Sequence, residues 1–183
     1  MSRWIPFAAT ALGYVVTGVA GLQLGVLQGY ASPLFPAAGW ALAVLLVFGR
    51  RVLPAVWIGA FLTNLAVEIG NGAVWTMSSG AVAALIAVGA CLQGWLGSVL
   101  VQRRLGEAWQ QLENDGDIMA FSLFGGPLAC IVSASVGVSA LVAFGIVPGA
   151  DFLFTWWNWW LGDTLGVLIG APLGLLLLLS REV

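Results

Sequence analysis

The chain has 183 residues, 61% of them apolar and only 8% charged, with a net charge of −2. Soluble domains carry about 45–50% apolar and about 25% charged residues, so this composition excludes a water-soluble fold and requires an integral membrane protein. The near-neutral charge says nothing about nucleic acid, but there is no basic patch and no nucleic-acid partner is expected; with no histidine anywhere the commonest zinc ligand and general base is missing.

A helix of about 20 apolar residues crosses the roughly 30 Å hydrocarbon core. Backbone groups in lipid must be paired, and the apolar runs lack strand alternation, so they read as helices. The expectation is an all-α, polytopic six-helix transmembrane bundle, a single domain, with spans at about 6–29, 36–49, 52–70, 74–101, 118–147 and 152–180.

The first span follows Arg3 and is longer than the apolar region of a secretory signal, so it reads as a retained helix rather than a cleavable leader. The second is short or broken, since residues 36–49 rise only about 21 Å. It is preceded by "ASPLFPAAG", and Pro36 suits a first helical turn, where its missing N–H is no loss. One reading starts this helix below the outer surface, with its free N–H groups facing a cavity; the other is a short helix accommodated by local thinning of the bilayer.

The polar stretch "QRRLGEAWQQLENDGD" (102–117) spaces Leu105, Trp109 and Leu112 as a short interfacial helix would. Asn114-Asp115-Gly116 reads as a turn, with Asp117 as the N-cap of the fifth span. The acidic cluster lacks the length and terminal Glu of a calcium loop, so no metal site is expected there. The two cysteines, Cys91 and Cys130, lie inside apolar runs and read as small fillers.

The six arginines give an orientation. Arg3, Arg50, Arg51, Arg103, Arg104 and Arg181 all fall on one side if six spans begin inside, so both termini are expected in the cytoplasm. Small residues recur every fourth position: Gly13, Thr17, Gly21, Gly25 and Gly29; Gly125, Ala129, Ser133 and Gly137; Gly162, Gly166, Gly170 and Gly174. Lipid gives helices no hydrophobic reason to meet, so such rows read as grooves for close backbone approach.

Few polar groups lie deep. Asn64 sits about 18 Å above Val52, and Asp163 about 26 Å above Ser180, which places both in the outer half of the membrane. Glu68 is one turn above Asn64, and Trp156, Trp159, Trp160 and Asp163 share a face. Gln93 and Ser133 add polar groups from spans four and five. An uncompensated aspartate in hydrocarbon is costly and must protonate or find donors. The expected donors are Asn64, Asn158, the indole N–H groups and the start of span two near Pro36. Asp163 then serves either as a polar staple between spans two, three and six, or as part of a tryptophan-walled, outward-facing pocket for a small ligand, where a carboxylate with aromatic faces suits a cation.

Two stretches resemble a known family. "FPAAGWALAVLLVFGRRVLPAVWIGAFLTNL" (35–65) carries Phe35, Pro36, Gly39, Gly49, Arg50, Pro54, Gly59 and Asn64; a later run carries Trp156, Trp159, Trp160, Leu161, Gly162, Asp163, Gly166 and Pro172. In this order and spacing they resemble the first of the MASE-type bacterial membrane-associated sensor domains, although that family commonly has Trp where Phe35 stands. The resemblance implies a sensory input module in the bacterial inner membrane. Its partner would be a cytoplasmic histidine kinase or diguanylate cyclase output domain, in cis or in trans, and it would act alone or as a homodimer. Many members continue into such an output domain, so a chain ending at Val183 is either a fragment or a compact stand-alone form. The candidate ligand-binding residues are Asp163, Asn64, Trp156, Asn158, Trp159, Trp160, Glu68, Pro36 and Gly39, with no cofactor. The competing reading is the six-helix substrate-binding subunit of a vitamin uptake transporter. Catalysis is not expected, since no nucleophile–base pair exists and the carboxylates are scattered.

Overall fold

A computed structural model of the protein describes residues 4–23, 32–70 and 76–180. Their regular structure is all helix, with no strand among them: α1 (Trp4–Gln23), α2 (Pro36–Phe48), α3 (Leu53–Gly70), α4 (Met77–Leu105), α5 (Asp115–Gly125), α6 (Pro127–Ala143) and α7 (Phe152–Leu179). Five stretches are long and apolar enough to cross a membrane: Trp4–Gln23, Pro36–Gly70, Met77–Gln110, Asp115–Ala143 and Gly149–Leu179. The protein is therefore a multi-pass membrane protein. Arg3 and Arg181, which bear on orientation, lie outside the described residues, as do Gly25, Gly29, Asn71 and Gly72.

The expected second and third spans fall within one of these stretches, Pro36–Gly70, and the chain turns between them. A 3-10 turn covers Gly49–Val52, and Gly49 has φ of 70°, a left-handed value that an L side chain resists. The two arms run in opposite senses. Along α2, Pro36 lies by Gly21, Ala37 by Gly18, and the Trp40 indole donates to the Thr10 carbonyl at 3.0 Å, so α2 is antiparallel to α1. Gly59 faces Ala11 and Tyr14, while Thr63 faces Gly18, so α3 is parallel to α1.

The 13-residue α2 is the centre of the molecule. Residues 37–39 and 41–46 are all buried. A helix enclosed by other helices need not match the bilayer thickness, which is why so short a rod is tolerated here. Residues 32–35 form a non-helical entry strand, paired in no sheet, that lies against α7: the Phe35 N–H donates to the Gly162 carbonyl at 3.0 Å. Pro36 then opens α2 opposite Gly170. A methyl group on Gly162 or Gly166 would collide with the carbonyl oxygen of Ser32 or Phe35, and one on Gly174 would press Ala43. The glycine row of α7 is thus the groove that admits the entry strand and α2.

Three expectations about helix ends are corrected. The fifth span breaks into α5 and α6 at Gly126, because Pro127 has no N–H to continue the ladder and disfavours helical geometry in the residue before it. Asn114, not Asp117, caps α5: its Oδ1 accepts from the Asp117 N–H at 2.9 Å, and its amide donates to the Asp117 carboxylate at 2.7 Å. The short interfacial helix expected within 102–117 is only a 3-10 helix over Gly106–Gln110, and its tryptophan faces the core rather than the interface. α4 runs on to Leu105, a 3-10 turn follows over Gly106–Gln110, and Trp109 tucks into the core at 6% exposure beside Val101 and Phe121. α4 begins at Met77 because Thr76 and Ser79 cap each other's backbone N–H groups at 3.1 and 3.0 Å.

Candidate functional site

Asp163 lies midway along α7 and is 3% exposed. Ser133, from the antiparallel α6, donates its hydroxyl to Asp163 Oδ2 at 2.8 Å. One turn before Asp163 on α7, the Trp159 indole donates to the same Ser133 oxygen at 3.2 Å. Indole, hydroxyl and carboxyl therefore form one connected chain across the α6–α7 seam. Gly137, one turn beyond Ser133, makes the room: a Cβ there would come within 2.9 Å of the Trp159 ring.

Two other tryptophans tie the same seam. Trp156 donates to the Ser135 hydroxyl at 3.1 Å and Trp160 to the Pro127 carbonyl at 2.8 Å. Their rings stack at 6.1 Å with an interplanar angle of 7°, and Trp157 leans on Trp160 at 5.0 Å. An indole buried in lipid or protein needs a partner for its N–H, and here each of the three donors has one.

The carboxyl borders a cavity of about 40 Å³. Its polar lining is Tyr14 of α1, Ser32 of the entry strand, Asn64 of α3, Gln93 of α4, Ser133 of α6 and Asp163 of α7; Trp159, Phe35 and Ile86 are among its walls. Asn64 does not reach Asp163: its amide nitrogen donates to the Ala60 carbonyl of its own helix at 2.8 Å. Gln93, 3% exposed, directs its amide nitrogen to Cys130 Sγ at 3.3 Å. The Ser32 hydroxyl is held by the Gly21 carbonyl at 2.6 Å, which pins the entry strand to α1. Tyr14 is 2% exposed and meets Phe35 edge-on at 6.3 Å.

Of the residues singled out in the sequence, the structure gathers Asp163, Asn64 and Trp159 around the cavity. Trp156 and Trp160 instead lock α7 to α6 outside its lining. Asn158 donates back to the Phe154 carbonyl at 2.7 Å rather than to Asp163. Glu68 is half-buried, with Oε2 enclosed and without a hydrogen-bond partner among the described residues, and it does not line the cavity. Pro36 and Gly39 pack on α7 beside it. The donor to Asp163 is thus neither asparagine but Ser133, one of the small residues of the span-five row. Tyr14 gave one signal in the sequence, a lone hydroxyl-bearing ring within the first glycine-rich span, and Gln93 was a lone amide in an apolar run.

Chemically the arrangement offers a carboxyl group, several neutral oxygens and aromatic faces, and no arginine among the described residues lines it. Among the described residues there is no group of three or more metal-ligating side chains. A family model described as MASE1 matches residues 7–181. No curated protein and no solved structure matches the chain.

Proposed function

Because the chain belongs to the MASE1 family of membrane sensor domains, typically input modules of bacterial signalling proteins, we propose that it senses a small ligand through the cavity around Asp163. The family's domain is sensory rather than catalytic, and here it covers residues 7–181 of 183. MASE1 domains are usually linked to signalling output domains.

In this reading the chain is one domain of six passes in the bacterial inner membrane, with α2 and α3 as separate arms and both termini in the cytoplasm. The arginines of the α2–α3 turn and of the α4 end then face inward together. The cavity opens toward the outer side. Its output partner is a cytoplasmic histidine kinase or diguanylate cyclase, in cis or in trans, and the module works alone or as a homodimer.

The observation that carries the proposal is the Trp159–Ser133–Asp163 chain bordering a cavity that every long helix helps to line. A ligand that prefers one arrangement of that chain shifts α7 relative to α6. α7 in turn is interlocked with the entry strand and α2, so the shift reaches the cytoplasmic end of both rods. The alternative, the substrate-binding subunit of a vitamin or small-molecule uptake transporter, fares worse for a vitamin, because a cavity of about 40 Å³ has room for an ion with one or two waters.

Asp163→Asn keeps the shape of the side chain and removes its charge. In a cell reporter of kinase or cyclase output it should abolish most of the response, while Glu68→Gln should leave it nearly intact. Equal output from Asp163→Asn and the parent would remove Asp163 from the mechanism.

A further inference from the structure

We propose that the ligand of the Asp163 cavity is one small monovalent cation, of the size and hardness of sodium, potassium or ammonium. The inference rests on the reading of this cavity as the sensory site and adds the class of molecule it takes.

The first argument is charge. The chain has no lysine and no histidine, and no arginine among the described residues lines the cavity. A carboxyl group enclosed in a membrane protein takes up a proton unless it finds an opposite charge or a full set of donors. Ser133 supplies one donor, to Oδ2, and among the described residues no hydrogen bond reaches Oδ1.

The second argument is the balance of donors and acceptors. Asn64 and Gln93 both line the cavity, and each has its amide nitrogen turned to a protein partner, the Ala60 carbonyl and Cys130 Sγ. Among the described residues no hydrogen bond reaches either amide oxygen. Tyr14 adds a phenolic oxygen, and Ser133 already gives its proton to Asp163. The cavity therefore gathers several oxygen atoms around one carboxyl group, a set that suits a hard cation.

Size and valence narrow the class. About 40 Å³ holds an ion with one or two waters. A single carboxylate balances a single positive charge, whereas calcium is held by six to eight oxygens, several of them carboxylate, and magnesium keeps an octahedral water shell. The rings of Tyr14, Phe35 and Trp159 complete a lining that favours a cation over an anion.

The test uses the full chain purified in detergent, with sodium, potassium or ammonium chloride exchanged for choline chloride at constant ionic strength. One of the three small ions should raise the melting temperature in a saturable way, by about 3–6 °C at tenfold excess over its Kd. Asp163→Asn should flatten that curve and Glu68→Gln should preserve it. If Asp163→Asn is too unstable to titrate, Ser133→Ala keeps the carboxylate but loosens it, and should raise the half-saturating concentration about 3- to 20-fold. No saturable, ion-specific shift in the parent, or an unchanged shift in Asp163→Asn, overturns the proposal. A flat titration alongside loss of output in Asp163→Asn rejects the cation while the sensory reading stands. An Asp163-dependent shift with normal output keeps the cation site and rejects its sensory role.

Discussion

The two faces of α7 hold the helix by different means. Toward α2 the contact is backbone on backbone: Gly162 and Gly166 lie against the Ser32 and Phe35 carbonyls, with a main-chain hydrogen bond of 3.0 Å from the Phe35 N–H to the Gly162 carbonyl. Toward α6 the contact is by side chain, through the indoles of Trp156, Trp159 and Trp160 and the hydroxyls of Ser133 and Ser135. The first face has no slack, because close-packed backbones cannot be displaced by a fraction of an ångström without losing the fit. The second is built from rotatable groups beside a cavity and can exchange partners. The difference teaches where a signal can enter: the α6 face can rearrange, and the α2 face makes α2 and α7 move together.

The sharpest way to break that contrast is Gly166→Val. Its Cβ would collide with the Phe35 carbonyl, and such overpacking against main chain should cost about 3 kcal/mol. The variant should melt well below the parent in detergent; an unchanged melting temperature would show that the entry strand does not occupy this groove. Asp163→Leu, on the other face, removes the acceptor of the Ser133 hydroxyl and should cost about 1–3 kcal/mol. A melting temperature equal to the parent's would mean that the chain of Trp159, Ser133 and Asp163 contributes nothing to stability. The smallest effect is expected from Trp156→Phe, which keeps an aromatic ring against Trp160 but loses the bond to Ser135. Hydrogen bonds between membrane helices average about 0.6 kcal/mol, and a loss near that value, measured by the same unfolding assay, would confirm that the α6 face is built from individually modest contacts.

Much of the architecture was legible in the residues. Apolar runs set the helices, Pro36 set the start of α2, and the Gly162–Gly174 spacing marked the face that meets a neighbour closely. These are local signals, carried by the residues of one helix. The break at Gly126-Pro127 was also written locally, in a proline that cannot continue a helix, but the surrounding apolar run hid it. The donor to Asp163 was not legible in this way. Asn64 and Asn158 were better donors by chemistry than Ser133, yet both amides turn back to carbonyls of their own helices four residues earlier.

The sequence alone determined that this protein lives in a membrane, that it is helical, and that one carboxylate lies deep within it. Those follow from composition and from periods that any isolated segment already possesses. Only the tertiary structure decided that Ser133 and Trp159 serve that carboxylate, and that Tyr14, Asn64 and Gln93 surround the same cavity. Partnership across helices depends on the rotation and depth of each rod against the others, and that register is fixed by packing between segments far apart in the chain.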